Sequence, residues 1–378
     1  MDSDLLQSLQ AQFPQQQTTL EQLALLYTQK LWHEITLNLN ILLQDEKVLQ
    51  ERKALLRIYD GFVKKFINKL DQLLLARFLT FVANAFDTNE EKFNFLEQAR
   101  SNFSEDNARY IIQLQQISYR LDDKHSEQND IELTELKEKI EKQQVIEPLA
   151  YSFLYRVSYE FYSQKKNYEL LYLNALQFLA YTQPQDIPIS YQQDISLKMA
   201  IAILVSPKIY NFSELLQQSV VKSLQNTTYS WLYTLIETFN SGNVDKYYQD
   251  LKSFDAQIKQ NALLVSNQKL LEEKIRIMAF LDLVFNLPKN DRTISFSKVA
   301  ERTKQPVNEI EYLLMRSMAL GLVKGSINQV QGNVTISWMI PRILDNSRIQ
   351  IMKNKFDEWT NSLRNLIQLV EQEPVPIY

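Results

Sequence analysis

Catalysis needs side chains that can bring protons, electron pairs or metal ions to one point, and this chain offers few of them. Its two histidines, His33 and His125, are far apart in sequence, each among polar neighbours and without a second ligand at helical spacing. The nearest approach to a metal set is Asp122, Asp123 and His125. Adjacent residues on a loop rarely converge on one ion, so the expectation there is a solvated connection and no metal site. The absence of cysteine removes disulfides, thiolate metal sites and cysteine nucleophiles together. No phosphate-binding GxxxxGK[ST], dinucleotide-binding GxGxxG, zinc-binding HExxH or nucleophile-elbow GxSxG pattern occurs. The reading is of a chain that is not an enzyme, holds no cofactor and takes no small-molecule substrate.

Charge narrows the partners. Lys plus Arg total 41 and Asp plus Glu 45, which gives the net charge of −4 and no bulk attraction to nucleic acid or anionic membrane. The start, Met1-Asp2-Ser3-Asp4, is acidic where a secretory leader would be basic, and no apolar run approaches the roughly 20 residues of a membrane span. The longest, Met199 to Val205, stops at Ser206-Pro207. These features lead to the expectation of a soluble intracellular protein.

The elements able to position anything are helical. From Leu5 to about Leu264 the apolar residues follow helical periodicity broken by short polar turns, the pattern of an antiparallel α-helical solenoid. Thr19 to Leu31, Trp32 to Leu42 or Leu43, and a long helix from Arg57 to Leu74 open it, and about ten to twelve helices are expected overall. Glu135 pairs with Lys139 and Glu138 with Lys142 at i, i+4, a solvated face. Tyr151, Tyr155, Tyr159 and Tyr162 run down one helix, either as an inter-helix core with hydroxyls at its edge or as an aromatic groove for a peptide. A boundary falls at Pro184 to Pro188, and Gly242 suits a helix C-terminus with Asn243 or Asp245 capping the next.

Residues 275–340 change character and read as helix, short strand, two helices and a hairpin, the element order of a winged helix. Arg276 to Leu287 opens it, Thr293 to Phe296 is the strand, and Ser297 can cap the helix Lys298 to Arg302. The next helix, Val307 to Leu320, buries Ile310, Leu313, Leu314, Ser317 and Met318, and Gly321 ends it. Val323, Gly325 and Ile327, then Val334, Ile336 and Trp338, alternate along two strands joined at Gln331-Gly332-Asn333. A winged helix invites a nucleic-acid reading. The outward face of Val307 to Leu320 carries Glu309 and Glu311 against Arg316, however, and the wing adds only Lys324. Phosphate demands more, so the expected use is an open sheet edge, at Lys324, Ser326, Thr335 and Ser337, that meets another protein.

After the winged helix, Ile349, Met352, Phe356, Trp359, Leu363, Leu366 and Val370 recur at alternating spacings of 3 and 4, an unbroken a/d seam. A helix from Asn346 to Glu371 stopped by Pro374 and Pro376 is expected, with the seam facing a partner helix.

A helical array running into a winged helix resembles the PCI domain, shared by subunits of the proteasome lid, the signalosome and a translation initiation factor. Lys30-Leu31-Trp32, Leu56 to Asp60, Lys208 to Phe212, Gly321 to Ile327, and Val334 to Trp338 with Pro341-Arg342-Ile343 resemble the proteasome-lid branch in order and spacing. Where relatives often carry Gly-Asp this chain has Gly242-Asn243, and Asn caps a helix as well. The resemblance implies a mainly α fold: a right-handed solenoid of TPR-like repeats, a winged-helix PCI module and a C-terminal bundle helix. It divides the chain into an N-terminal arm (1–183), the helical part of the PCI domain (184–274), the winged helix (275–341) and the bundle helix (345–373). It implies a non-catalytic scaffold for ubiquitin-dependent proteolysis in cytoplasm and nucleus, whose partners are other PCI and MPN-type lid subunits. The alternatives are a signalosome or initiation-factor subunit and, behind them, a winged-helix nucleic-acid binder.

Overall fold

The computed structural model describes residues 17–42, 52–121, 126–142, 147–184, 187–287, 292–341 and 346–372. They form two compact units, 1–195 and 196–378. The described residues include 20 α-helices, more than the periodicity suggests, because several turns of the array are single short helices.

In the first unit the helices are α1 (Gln17–Gln29), α2 (Trp32–Leu42), α3 (Arg52–Gly61), α4 (Gln72–Ala83), α5 (Asn89–Arg100), α6 (Asp106–Tyr119), α7 (Ser126–Glu141), α8 (Pro148–Gln164) and α9 (Tyr168–Tyr181). α10 (Ile189–Val205) leads into the second. Neighbouring helices pack in sequence order and bury one continuous core, from Leu23 through Phe78, Ile111 and Leu154 to Phe161. Side-chain caps set the breaks: Asp71 accepts from the amides of Leu73 and Leu74, Thr88 from Glu91 and Asn167 from Leu170. The expected helix from Arg57 to Leu74 is not continuous. α3 stops at Gly61, a 3-10 stretch covers Val63–Lys69, and Phe66 leaves helical backbone at φ −141°. Burial of Phe62 and Phe66 against Tyr27 and Trp32, ring centroids 4.7–5.6 Å apart, outweighs helix continuity. The polar connection expected at Leu121 to Asp130 is helical from Ser126, and Asp122, Asp123 and His125 lie outside the described residues.

The second unit continues with α11 (Phe212–Gln217), α12 (Ser219–Lys222), α13 (Ser230–Ser241), α14 (Val244–Ser253), α15 (Asp255–Gln260), α16 (Ala262–Ser266) and α17 (Gln268–Phe285). The winged helix adds β1 (Thr293–Ser295), α18 (Phe296–Thr303), α19 (Val307–Ala319), β2 (Val323–Asn328) and β3 (Asn333–Met339), and α20 (Asn346–Gln372) ends the described chain. The sheet order is β1-β3-β2, antiparallel throughout. Ser295, not Ser297, caps α18, accepting from the Lys298 amide, because the strand ends one residue earlier than expected. α17 is the hub of this unit, packing on α13, α14, α18, α19 and β3.

Two contacts fix α17. Gly242, in the left-handed conformation at the end of α13 (φ 64°), lies so close that a Cβ there would sit 2.8 Å from the Met278 carbonyl oxygen. Lys274, fully buried, donates to the carbonyls of Ile203 and, at 2.6 Å, Ser206 where α10 ends. Its ammonium also lies 5.2 and 5.4 Å from the ring centroids of Tyr210 and Phe212. Burial pushes its pKa down from 10.5 to about 7.

Gly321, equally left-handed (φ 69°) but with nothing near its missing Cβ, gives a control. Gly321→Ala should cost about 1 kcal/mol of backbone strain, and Gly242→Ala at least about twice that, in denaturant unfolding. Lys274 makes a pH prediction. Its folded pKa lies below its unfolded one, so its share of stability is complete above pH 10.5 and is lost as pH falls towards about 7. The stability of the native protein minus that of Lys274→Met should therefore rise between pH 7 and 9.5, with a slope approaching about 1.4 kcal/mol per unit. A flat difference would mean that water reaches the ammonium.

Candidate interaction surfaces

The winged helix is built to present α19, and the charges around it are already engaged. α19 buries Ile310, Leu313, Leu314 and Ser317, with Met318 half-buried, and turns Glu309, Tyr312 and Met315 to solvent. Arg316, the one cation of that face, forms an ion pair with Glu273 of α17 at 2.9 Å. Arg302 pairs with Asp282 at 3.0 Å, Lys304 with Asp245 at 3.4 Å, and Arg292 donates to the Ser337 carbonyl. Lys324 lies 5.1 Å from the Trp338 ring centroid. Glu311 accepts from Gln329 of the wing at 3.1 Å. The outward surface is thus apolar and acidic, with little positive charge left for phosphate.

The sheet corrects part of the expected edge. Lys324 and Ser326 are on β2, an outer strand, but Thr335 and Ser337 are on β3, which is hydrogen-bonded on both sides. Thr335 pairs with Thr293 and Ser326, and the Ser337 hydroxyl donates to the Lys324 carbonyl at 3.1 Å. The hairpin reads correctly from sequence, but the short strand Thr293–Ser295 attaches to its second arm and covers that side. A bulge between Lys324 and Gly325 then shifts the register. The strands approach so closely there that a Cβ on Gly325 would lie 2.3 Å from the Thr335 carbonyl oxygen. Trp338, expected inside by alternation, is exposed under Lys324. Beside it a cleft of about 340 Å³ runs between Phe285, Leu287, Ile336 and Trp338, with Lys355 of α20 on its lining.

α20 carries a long run of exposed large apolar side chains. Ile349, Met352, Phe356, Trp359, Leu363 and Leu366 fall on it at the expected spacing, and their exposures run from 42% at Leu363 to 61% at Trp359. Ile367 and Leu369, also exposed, widen the stripe. The side chain of Val370 lies outside the described residues.

The tyrosines of α8 divide. Tyr151 and Tyr159 are buried, while Tyr155 and Tyr162 are half-buried. Tyr151, Tyr155 and Tyr181 stack with centroids 5.2–6.2 Å apart. Burial pushes the hydroxyl of Tyr159 well above the ordinary phenol range. These residues serve the inter-helix core, with one edge open. His33 lies 4.0 Å from Asp71 on the surface, and no group of three metal-ligating side chains occurs among the described residues.

Two charged residues escape a reading based on motifs. Lys274 falls at i+3 from Leu271 and i−4 from Met278, inside an apolar stripe, and Arg156 follows Phe153 by three in the same way. A charge on a buried stripe is the signal that marks both.

The family described as PSD13 N-terminal repeats matches residues 19–236, and the PCI domain matches residues 251–338. The chain is 33% identical to the 26S proteasome non-ATPase regulatory subunit 13 of Dictyostelium discoideum over 93% of its own length and 92% of that protein's. It is 31% identical to the Arabidopsis thaliana subunit 13 homolog A over 97% of both chains. It is 29% identical to the 26S proteasome regulatory subunit RPN9 of Saccharomyces cerevisiae over 93% of its own length and 91% of that protein's. Because the repeats and the PCI domain match in this order and the identity extends over nearly the full length of these relatives, the chain belongs to the family of 26S proteasome non-ATPase regulatory subunit 13.

Proposed function

We propose that the chain is a non-catalytic scaffold subunit of the proteasome lid, supporting lid assembly and so ubiquitin-dependent proteolysis. The observation that carries the reading is α20: a helix of 27 residues with an apolar stripe at a/d spacing from Ile349 to Leu366, uncovered by the rest of the described chain. Such a seam fits a helical bundle with neighbouring subunits. The free edge of β2, with Lys324 and Ser326, suits contact between PCI modules, and the helices before it form the arm. We divide the chain accordingly into arm (1–183), helical PCI part (184–274), winged helix (275–341) and bundle helix (345–373). The partners are other PCI and MPN-type lid subunits, and the compartments are cytoplasm and nucleus. No helix of the described residues is long and apolar enough to cross a membrane, and their full-length relatives are named as regulatory subunits.

Removing residues 346–378 should leave a folded helical protein by circular dichroism that no longer co-purifies with the lid. Phe356→Ala and Trp359→Ala should each weaken retention by about 2 kcal/mol in a salt-wash assay. A truncated protein that assembles normally, or one that unfolds, would assign the seam to this chain's own core. Mass spectrometry of the co-purified subunits separates the lid from signalosome or initiation-factor complexes.

The winged helix makes a second prediction. A 20-base-pair duplex should not be retained at physiological salt in an electrophoretic shift assay, and the double change Glu309→Lys, Glu311→Lys should create measurable, salt-sensitive binding. Tight binding by the unaltered protein would support the nucleic-acid alternative.

A further inference from the structure

A cleft of about 490 Å³ opens in the first unit, lined by α4, α8, the end of α9 and the start of α10. This is within the roughly 300–1,000 Å³ range of ligand clefts. Its walls are mostly apolar and aromatic, with Phe81, Leu149, Phe153, Phe178 and Tyr181 supplying the contact surface. Charge enters at three points, Arg77, Arg156 and Glu160.

Glu160 is committed. One of its oxygens accepts from the Ser118 hydroxyl at 2.8 Å and the other from the Tyr191 hydroxyl at 3.1 Å. Arg156 is held by neutral groups instead. Its Nη2 donates to the Gln115 side-chain oxygen, and its guanidinium carbon lies 4.6 Å from the Phe153 ring centroid. Its Nε is buried and has no acceptor. Among the described residues no carboxylate comes within ion-pair distance of it, although Glu160 lies one turn away on the same helix. A buried donor without an acceptor leaves the guanidinium under-satisfied within the chain. A planar guanidinium fixed by an amide and a ring is a ready receptor for one carboxylate.

From this geometry we propose that the cleft binds a short acidic and apolar peptide segment of a partner protein. An Asp or Glu carboxylate meets Arg156, and the flanking bulky side chains pack on Phe81, Leu149 and Phe178. Charge selects this occupant. Glu160 is already satisfied within the chain, whereas Arg156 has no carboxylate at ion-pair distance among the described residues, so the lining offers one unmatched guanidinium at a single point in an apolar surface. A basic or purely apolar segment would leave Arg156 unmatched, and a polyanion would find too few cations. The inference does not depend on the scaffold reading, since the cleft lies away from α20 and the winged helix in sequence and in a separate unit.

The test is selection on the full-length protein from a displayed library of random twelve-residue peptides, followed by affinity measurement with synthetic peptides. Enriched sequences should share an acid beside a bulky apolar residue. Exchanging that acid for its amide should weaken binding to the unaltered protein by roughly tenfold or more. The same exchange should have almost no effect on Arg156→Gln, and Leu149→Trp, which fills the apolar wall, should abolish binding while circular dichroism stays native. The amide exchange is read on the unaltered protein, so the question is decided even where a variant folds poorly. No enrichment, enriched sequences without an acid, or a neutral amide exchange would overturn the proposal, as would folded Arg156→Gln and Leu149→Trp variants that bind like the unaltered protein.

Discussion

An ammonium group has three hydrogens to place, and Lys274 has to place them where water does not reach. Two go to the carbonyls of Ile203 and Ser206, the orphan acceptors at the end of α10, and the faces of Tyr210 and Phe212 take up part of the remaining charge. One side chain of α17 thereby fixes where a long helix stops and where the segment after it turns. The same helix carries Met278 and Ala279, whose backbone only a glycine at 242 can approach, and Glu273, which neutralises Arg316 of α19. The winged helix is positioned by a helix that is itself positioned by a buried charge.

The first unit is held differently. It has no cysteine and, apart from Gly61, no glycine, so its stability rests on stacked apolar faces and on the side-chain caps that start α4, α5 and α9. Its strains are small and local. Lys30 and Lys166 adopt left-handed backbone (φ 58° and 55°), where glycine is the usual choice, and each places a cation near the carbonyl end of the helix before it. Arg156 and Glu160 are the departure from this plan, charges set into a face that otherwise serves packing.

Much of this was legible in the sequence because the signals were local. The α19 stripe, Gly321 at its end and the a/d spacing of α20 are each read from one helix or turn at a time. What escaped depends on distant partners. Phe62 and Phe66 fit a helical pattern until Tyr27 and Trp32 draw their rings into a cluster that the helix cannot serve. Thr335 and Ser337 look like edge residues until the strand at Thr293 pairs with theirs. Trp338 alternates inward on paper, and the bulge at Gly325 brings it out. At the candidate surfaces the seam was readable as spacing, whereas Lys274 and Arg156 acquire meaning only from the carbonyls, amide and rings around them.

The seam on α20 has a consequence for abundance. Side chains of the size of Phe356, Trp359 and Leu366 left in water along one helix face also match a second copy of the same helix, since a 3.5-residue repeat is self-complementary. A copy made in excess of its neighbours has two routes to bury that face, pairing with its own kind or capture by a chaperone. On the proposed assembly role, an unmatched copy therefore exposes the very residues that the assembly would cover.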